Sequence, residues 1–500
     1  MLLDFIFASL VSLVALAQLR FLLVCLLAPR AQTSETQLAK SENWPVVAVQ
    51  IATYREAKAL PSLLDAIAKL NWPRDLLRVQ IIDDSEGADF EATNAVVERF
   101  RLAGLDAEVL NRGSRSGFKA GALNHGLANA NDASLIAYCD ADCRFAPDFL
   151  ERSVATMQDP TVAAVQSFWT YPNGNASPLA ALQEAAFCYL FRFDNEPRSK
   201  LGLPCYYLGS SAVWRRDVIV SLGGYRELPF TAEDVDLSFR AAASGYRVAC
   251  IPDLLAEDDA LEDVLAFRAQ QRRWARAVGQ AVLDAIPTII ARNATISARL
   301  FECTAWLAHG SIIFIPAAAL VMAFSILFSP SHPATFTETM FAILFVMSPG
   351  FLALVMSVRC YRPNDWHIRI PLLLRAGPIA AATMTSFVVG FVDLARSARA
   401  EFVVTPKQGE RPMLGGLTSK WLGAHAGPLA CDVAAASVLL GGAVAAIWNY
   451  NWVTAVPTAV LGLWFVGAFY QGLFAMLALR RRLGIMRGVQ EVSTTPQGGR

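Results

Sequence analysis

Long apolar runs confined to the two ends of the chain, with a polar, alternating stretch from residue 44 to 292 between them, constrain the fold more than any other feature. Residues 2–29 are almost wholly apolar, long enough to cross a ~30 Å hydrocarbon core. Such runs return at 308–328, 338–358, 371–392, 429–449 and 453–479. A plain soluble enzyme does not carry them, and a pure membrane bundle does not carry so charged a middle, so two zones follow. The 54% hydrophobic content and mean hydropathy of +0.38 agree with that division. Charge is balanced, 43 basic against 43 acidic side chains, which excludes a nucleic-acid binder held by a large positive field.

Ala15 to Gln18 has the look of a signal cleavage site, but Asp4 and no Lys or Arg precedes it and the apolar run continues past it. A retained first span is the expectation. Boundaries are then 1–30 for that helix, 31–43 for a linker, 44–292 for an α/β domain, 293–482 for interfacial and transmembrane helices, and 483–500 for a disordered tail. Positive charge collects at 359–369, at 396–420 and at 480–482, which places those flanks in the cytosol. The run at 371–392 lies between two of these flanks, so it is expected to be re-entrant or interfacial. Arg375, Gly377 and Pro378, and the amphipathic stretch 393–402 support this. Five crossings, an external N-terminus and a cytosolic C-terminus follow. The nine scattered cysteines read as reduced thiols.

Within the middle zone, residues 46–52, 77–84, 106–112, 134–142 and 161–169 read as buried strands, with helical patterns at 57–70, 91–103, 119–130 and 147–158. The alternation predicts a mostly parallel sheet with helices on both faces and ligands beyond the carboxyl ends of its strands. Acidic residues stand at those ends. Asp83 and Asp84 close one strand; taken alone they are an ordinary loop start. Asp140 and Asp142 close another, at i and i+2 on one side, where two carboxylates converge on a divalent cation whose other ligands are substrate phosphates and water. Glu233, Asp234 and Asp236 begin a helix, where acids complement the dipole and Thr231 with Asp234 is capping-box-like; a general base has the same appearance.

In "QQRRWARA", residues 270–277, Gln270, Arg273 and Trp274 share one helix face. Arginine suits a diphosphate and an indole suits the C–H face of a sugar, although both residues also favour membrane edges.

These motifs, in this order, resemble the membrane-embedded processive branch of glycosyltransferase family 2, above all the cellulose-synthase-like mannan and glucomannan synthases. The resemblance rests on Asp83 with Asp84, "SGFKAGALN" (116–124), the DxD of Asp140 and Asp142, "YLGSSAVWR" (207–215), "TAED" (231–234) and QxxRW. It implies a GT-A-like, nucleotide-diphospho-sugar-binding α/β domain joined to an α-helical membrane domain. Thr53, Glu56, Asp83, Asp84, Lys119, Asp140, Gln270 and Arg273 would hold a nucleotide-sugar, and Asp140 and Asp142 a Mg2+ or Mn2+ ion. Asp234 would be the base, beside Glu233, and Arg273 would stabilise the leaving diphosphate. Gly209, Ser210 and Trp274 would meet the growing glycan acceptor. "FVVTPK" looks like the family's gating loop, through Phe402, Val404, Thr405 and Lys407.

The implied product is a β-linked mannan or glucan of the β-1,4 type, made from GDP-mannose or UDP-glucose and exported across the cell (inner) membrane, with the catalytic domain in the cytosol. A periplasmic export partner or a second copy of the chain would complete the partners. Two departures stand out: Arg55 occupies a position where the family usually has asparagine, and "YLGSS" lacks the phenylalanine and cysteine of the cellulose synthase acceptor motif. No long extension follows the last span, so a cyclic-dinucleotide-binding domain is not expected. A non-processive enzyme making a glycolipid, and a transporter or sensor with a nucleotide-binding domain, are the competing readings.

Overall fold

The computed structural model describes residues 2–27, 44–200, 203, 205–227, 233–291, 296–328, 334–396 and 418–493. Eight strands form one sheet: β1 (Val47–Thr53), β2 (Leu77–Asp83), β3 (Ala107–Leu110), β4 (Leu135–Cys139), β5 (Arg144–Phe145), β6 (Val162–Thr170), β7 (Ala212–Arg215) and β8 (Arg247–Glu257). Their order is β3-β2-β1-β4-β7-β6-β8-β5. All five expected strands form, and helices Leu60–Ala68, Gly87–Leu102, Phe118–Ala128 and Phe149–Thr156 fall where the periodicity puts them.

Both faces of the central strands are buried, which is why β1 and β4 read as continuous apolar runs. Val49, Ile51, Val79 and Ile81 pack into one layer. Ala48, Ile136, Tyr138 and Trp214 pack into the other. Buried glutamines cross this apolar sheet as a hydrogen-bonded row: Gln50 Nε2 donates to Gln80 Oε1 at 2.9 Å, and Gln80 Nε2 donates to Glu108 at 3.0 Å.

The sheet is mostly parallel, as expected, and mixed: pairings among β1, β2, β3 and β4 and between β6 and β8 are parallel, while β7 runs antiparallel to both β4 and β6, and β5 antiparallel to β8. The sequence pattern hid the later strands. β7 has four residues, and β8 is interrupted near Pro252, where its register against β6 shifts. Proline has no N–H to give the ladder.

Among the described residues six helices are long and apolar enough to cross a membrane: Leu2–Leu26, Arg299–Phe328, Phe336–Tyr361, Gly377–Ala395, His425–Trp448 and Trp452–Leu479. The third is two helices meeting at Ser348, whose φ of +38° ends one and starts the next. The fourth is an unbroken helix and not a re-entrant hairpin. The last helix continues to Ser493, past the expected start of a disordered tail at 483; residues 483–493 contain no proline to stop it.

Charged struts tie this bundle to the α/β domain. Arg20 of the first apolar helix reaches Asp194 at 3.3 Å, and Asp194 also accepts from Arg198, which pairs with Glu302. Glu184 holds Arg362 and Arg369, each at 3.0 Å, from the basic stretch 359–369.

Candidate active site

Strand order reverses direction between β1 and β4, because β2 and β3 lie on one side of β1 and everything later lies on the other. Such a switch point opens a crevice beyond the strand ends. Asp140 and Asp142 sit there, directly after β4. Lys119 enters from the helix Phe118–Ala128, where Gly117, with φ of +68°, turns the chain into the helix. Gly121 is needed for the preceding loop to fold back: a Cβ there would lie 2.2 Å from the Ser116 carbonyl oxygen and 2.5 Å from Arg112. The small residues of "FKAGALN" thus deliver the lysine.

Lys119 Nζ donates to Asp140 Oδ1 at 2.6 Å and to the Gly209 carbonyl at 2.7 Å, so one ammonium ties its own motif to the DxD and to a turn 90 residues further along the chain. Ser210 Oγ accepts from the Asp140 N–H at 2.9 Å and fixes the DxD turn. Gly209 has φ of +82°, and a Cβ on it would stand 2.9 Å from Asp234 Oδ2 and 3.6 Å from Lys119 Nζ. The bare glycine therefore leaves a cradle between base candidate and cation. Glu233 is buried, and its Oε2 has no hydrogen-bond donor among the described residues.

Burial, and then the adjoining Glu233, push the Asp234 carboxyl up to about 7, with Lys119 opposing. Burial alone would lower the Lys119 ammonium, but Asp140, Glu233 and Asp234 together hold it above its ordinary value. Burial likewise draws Arg273 below the usual guanidinium value, against the pull of Glu233, Asp234 and Asp140. The field of these three carboxylates acts on both cations, which brings Arg273 into the same constellation.

Gln270, Arg273 and Trp274 lie on the helix Val264–Ala291. Trp274 is half buried, its ring edge-on to Phe187 at 5.9 Å and 80°. Two ion pairs anchor this helix to the apolar bundle: Arg268 to Asp432 at 2.6 Å, both fully buried, and Arg272 to Asp393 at 2.6 Å. Thr385 completes the first by donating to Asp432 at 2.9 Å.

Other expected site residues are placed differently. Thr53 and Glu56 adjoin at the end of β1, with Oγ1 to Oε2 at 3.5 Å. Asp83 is fully buried; its Oδ1 accepts from the Ser85 N–H at 2.8 Å, while its Oδ2 has no hydrogen-bond partner among the described residues. Asp84 is held by both nitrogens of an Arg112 fork, at 2.8 and 2.5 Å. Asp236 is paired with Arg240 at 2.7 Å. Thr231, the proposed cap, and Phe402, Val404, Thr405 and Lys407 lie outside the described residues. Sequence reasoning passed over Asp258, which follows β8. Its carboxyl is pushed up to about 7 by burial and then by the charge of the DxD residue Asp140. Only its place at a strand end signalled it.

The residues present fit a divalent cation of the magnesium or manganese kind. Two carboxylates stand at the end of β4, and no group of three or more His, Cys, Asp or Glu suited to a metal occurs among the described residues. Ions that keep several water and phosphate ligands need no more from the protein. Asp140 and Asp142 would hold such an ion, which supplies positive charge to a leaving diphosphate.

Residues 135–357 match the family described as Glycosyl transferase family group 2. A probable glucomannan 4-beta-mannosyltransferase 6 of Oryza sativa subsp. japonica is 34% identical over 236 residues, 46% of this chain and 41% of that one. Glucomannan 4-beta-mannosyltransferase 2 of Arabidopsis thaliana is 33% identical over 238 residues, 47% of this chain and 44% of its own length. The chain thus spans less than half the length of these relatives. A mannosyltransferase from Pyrobaculum calidifontis, solved with GDP-Man and Mn2+, superposes with a TM-score of 0.54 at 20% identity, covering 78% of this chain and 99% of that one. That likeness is one of fold.

Proposed function

We propose that this chain, whose residues 135–357 match the glycosyl transferase family group 2 model, is an inverting, membrane-embedded hexosyltransferase that builds a β-linked mannan- or glucan-type polysaccharide from a nucleotide-sugar. The relatives' mannosyltransferase names and the GDP-Man bound to the Pyrobaculum calidifontis enzyme favour GDP-mannose as donor over UDP-glucose. The observation that carries the reading is the Gly209 cradle, with Asp234, Lys119 and Asp140 facing it.

Asp234 takes the proton of an acceptor hydroxyl as that oxygen attacks the anomeric carbon. A carboxyl poised near 7 is matched to this task, worth about 10²–10⁴ in rate. Lys119 and Arg273 oppose the charge that develops on the departing diphosphate, a stabilisation available only because both cations are fixed beforehand. Trp274 offers its exposed face to the acceptor sugar. Gln270 orients beside it.

The membrane arrangement we propose has five crossings. Helix Gly377–Ala395 lies flat, and contacts at both its ends support this. Near its start Ile379 packs with Leu179, Leu261 and Phe267 of the catalytic side. Near its end Asp393 pairs with Arg272 and Arg276 of the motif helix, which itself packs through Ala277 and Ala281 on Val235. A crossing helix would carry one of these ends away from the domain. The catalytic domain would face the cytosol, where nucleotide-sugars are supplied, and the stretch 402–407 would gate export.

The test is purified protein in nanodiscs with Mn2+ or Mg2+ and separate labelled donors: GDP-mannose, UDP-glucose, UDP-GlcNAc and UDP-galactose. Ethanol-insoluble polymer from GDP-mannose is expected. Label found only in the lipid extract would make this a glycolipid enzyme instead.

A further inference from the structure

The nucleotide end of the site has a feature that the motifs do not account for. Strands β4, β1 and β2 are successive neighbours, so the end of β2 lies about 10 Å from the DxD turn at two strand spacings. With the diphosphate centred on Asp140 and Lys119, the base falls over the ends of β1 and β2. The carboxylate expected to meet it, Asp84, is already taken. Both its oxygens accept from Arg112, and the two side chains are only 7% and 10% exposed. Arg112 also donates to the Ser116 carbonyl at 2.7 Å and to that of Phe118 at 3.2 Å, so it serves as an internal pin for the loop leading to Lys119.

What that pinned loop presents is Arg115. Its guanidinium lies 3.5 Å over the centroid of the Tyr54 ring, immediately after β1, and forms no ion pair among the described residues. Its Nε is buried without an acceptor. Arg55, on the same ring at 4.9 Å, is engaged with Asp89 at 3.2 Å, which leaves Arg115 as the open fork. A planar fork of N–H donors recognises two adjacent acceptors. Guanine provides them in O6 and N7, whereas adenine pairs N7 with an amino donor. Uracil carries its two carbonyl oxygens on opposite sides of an N–H and cannot fill both prongs.

We propose that Arg115, braced by Tyr54 and by the Asp84–Arg112 pin, reads the base of the donor and selects guanine over uracil. This rests on the nucleotide-sugar reading above and deepens it: the chain would choose its donor by a donor fork at Arg115 and not by the Asp84 carboxylate.

Binding of GDP, GMP, UDP and UMP to the full chain in nanodiscs with Mn2+ tests it, by calorimetry on wild type, Arg115→Met and Arg115→Lys. Wild type is expected to prefer GDP to UDP. Arg115→Met should weaken GDP and GMP by the same factor, between about fivefold and about 150-fold, and leave UDP unchanged. Arg115→Lys keeps the charge without the fork and should lose the preference too. Equal weakening of GDP and UDP would make Arg115 a diphosphate contact and overturn the proposal, as would a wild-type preference for UDP or an unchanged GDP affinity in both variants. Binding of none of the four nucleotides by wild type would instead overturn the nucleotide-sugar reading, and this inference with it.

Discussion

Asp234 and Gly209 decide what the site can do, and each gives a separate prediction. The Asp234 carboxyl, raised to about 7, must lose its proton to act as a base, so kcat/KM should climb as pH rises through about 7 and level off above it. The same shift affects stability with the opposite sign. Between the unfolded value near 4 and the folded value near 7, the folded chain holds a proton that the unfolded chain has released. Its contribution therefore falls as pH rises through that window. Asp234→Asn should flatten both profiles, measured as pH–rate curves and as thermal midpoints across pH 4–8. Gly209→Ala places a methyl group against Asp234 Oδ2 in a backbone conformation with φ of +82°. A misplacement of that size should lower kcat by roughly 10²-fold while leaving the donor KM within about threefold. An unchanged kcat would mean that the cradle is not where the chemistry occurs.

At the scale of elements, the parallel half of the sheet was legible because β1, β2 and β4 are short apolar runs, two of them, β2 and β4, closed by acids at the crevice. β7 and β8 were not, since four residues carry little period and Pro252 breaks the other strand's register. The DxD, the acid pair and QxxRW were each readable as local motifs. That Asp84 is consumed by Arg112 was not, because the pair joins residues 28 apart and nothing in either local pattern announces it. The anchoring of the motif helix was equally hidden. Arg268 and Asp432 are 164 residues apart, and a fully buried pair of this kind is costly to break but often replaceable by apolar side chains. Arg268→Met or Asp432→Asn alone should destabilise the chain by ~3–5 kcal/mol. The double variant Arg268→Met, Asp432→Leu should recover the thermal midpoint. If the pair also sets the register of Arg273 and Trp274, the recovered protein will have a reduced kcat with its donor KM little changed. Wild-type kcat in the double variant would reduce the pair to a simple staple.

For the whole molecule, a mixed sheet and a bundle of apolar helices meet along one surface, stitched by Arg20 to Asp194, Arg369 to Glu184 and Arg272 to Asp393. Positive charges that the sequence offers as a topology signal are thus partly used to grip the α/β domain, as Arg369 does. In a cysteine-free background, His367→Cys and Arg396→Cys, at the two flanks of the helix Gly377–Ala395 proposed to lie flat, should both react with an impermeant maleimide from the catalytic side alone. Labelling from opposite sides would establish six crossings. The central claim, that the Gly209 cradle is a base-assisted transfer site, is tested most directly by nucleoside diphosphate release from GDP-mannose in wild type and Asp234→Asn, alongside GDP binding to each. The account predicts a loss of about 10²–10⁴ in turnover with GDP affinity retained. Turnover within a few fold of wild type would contradict it.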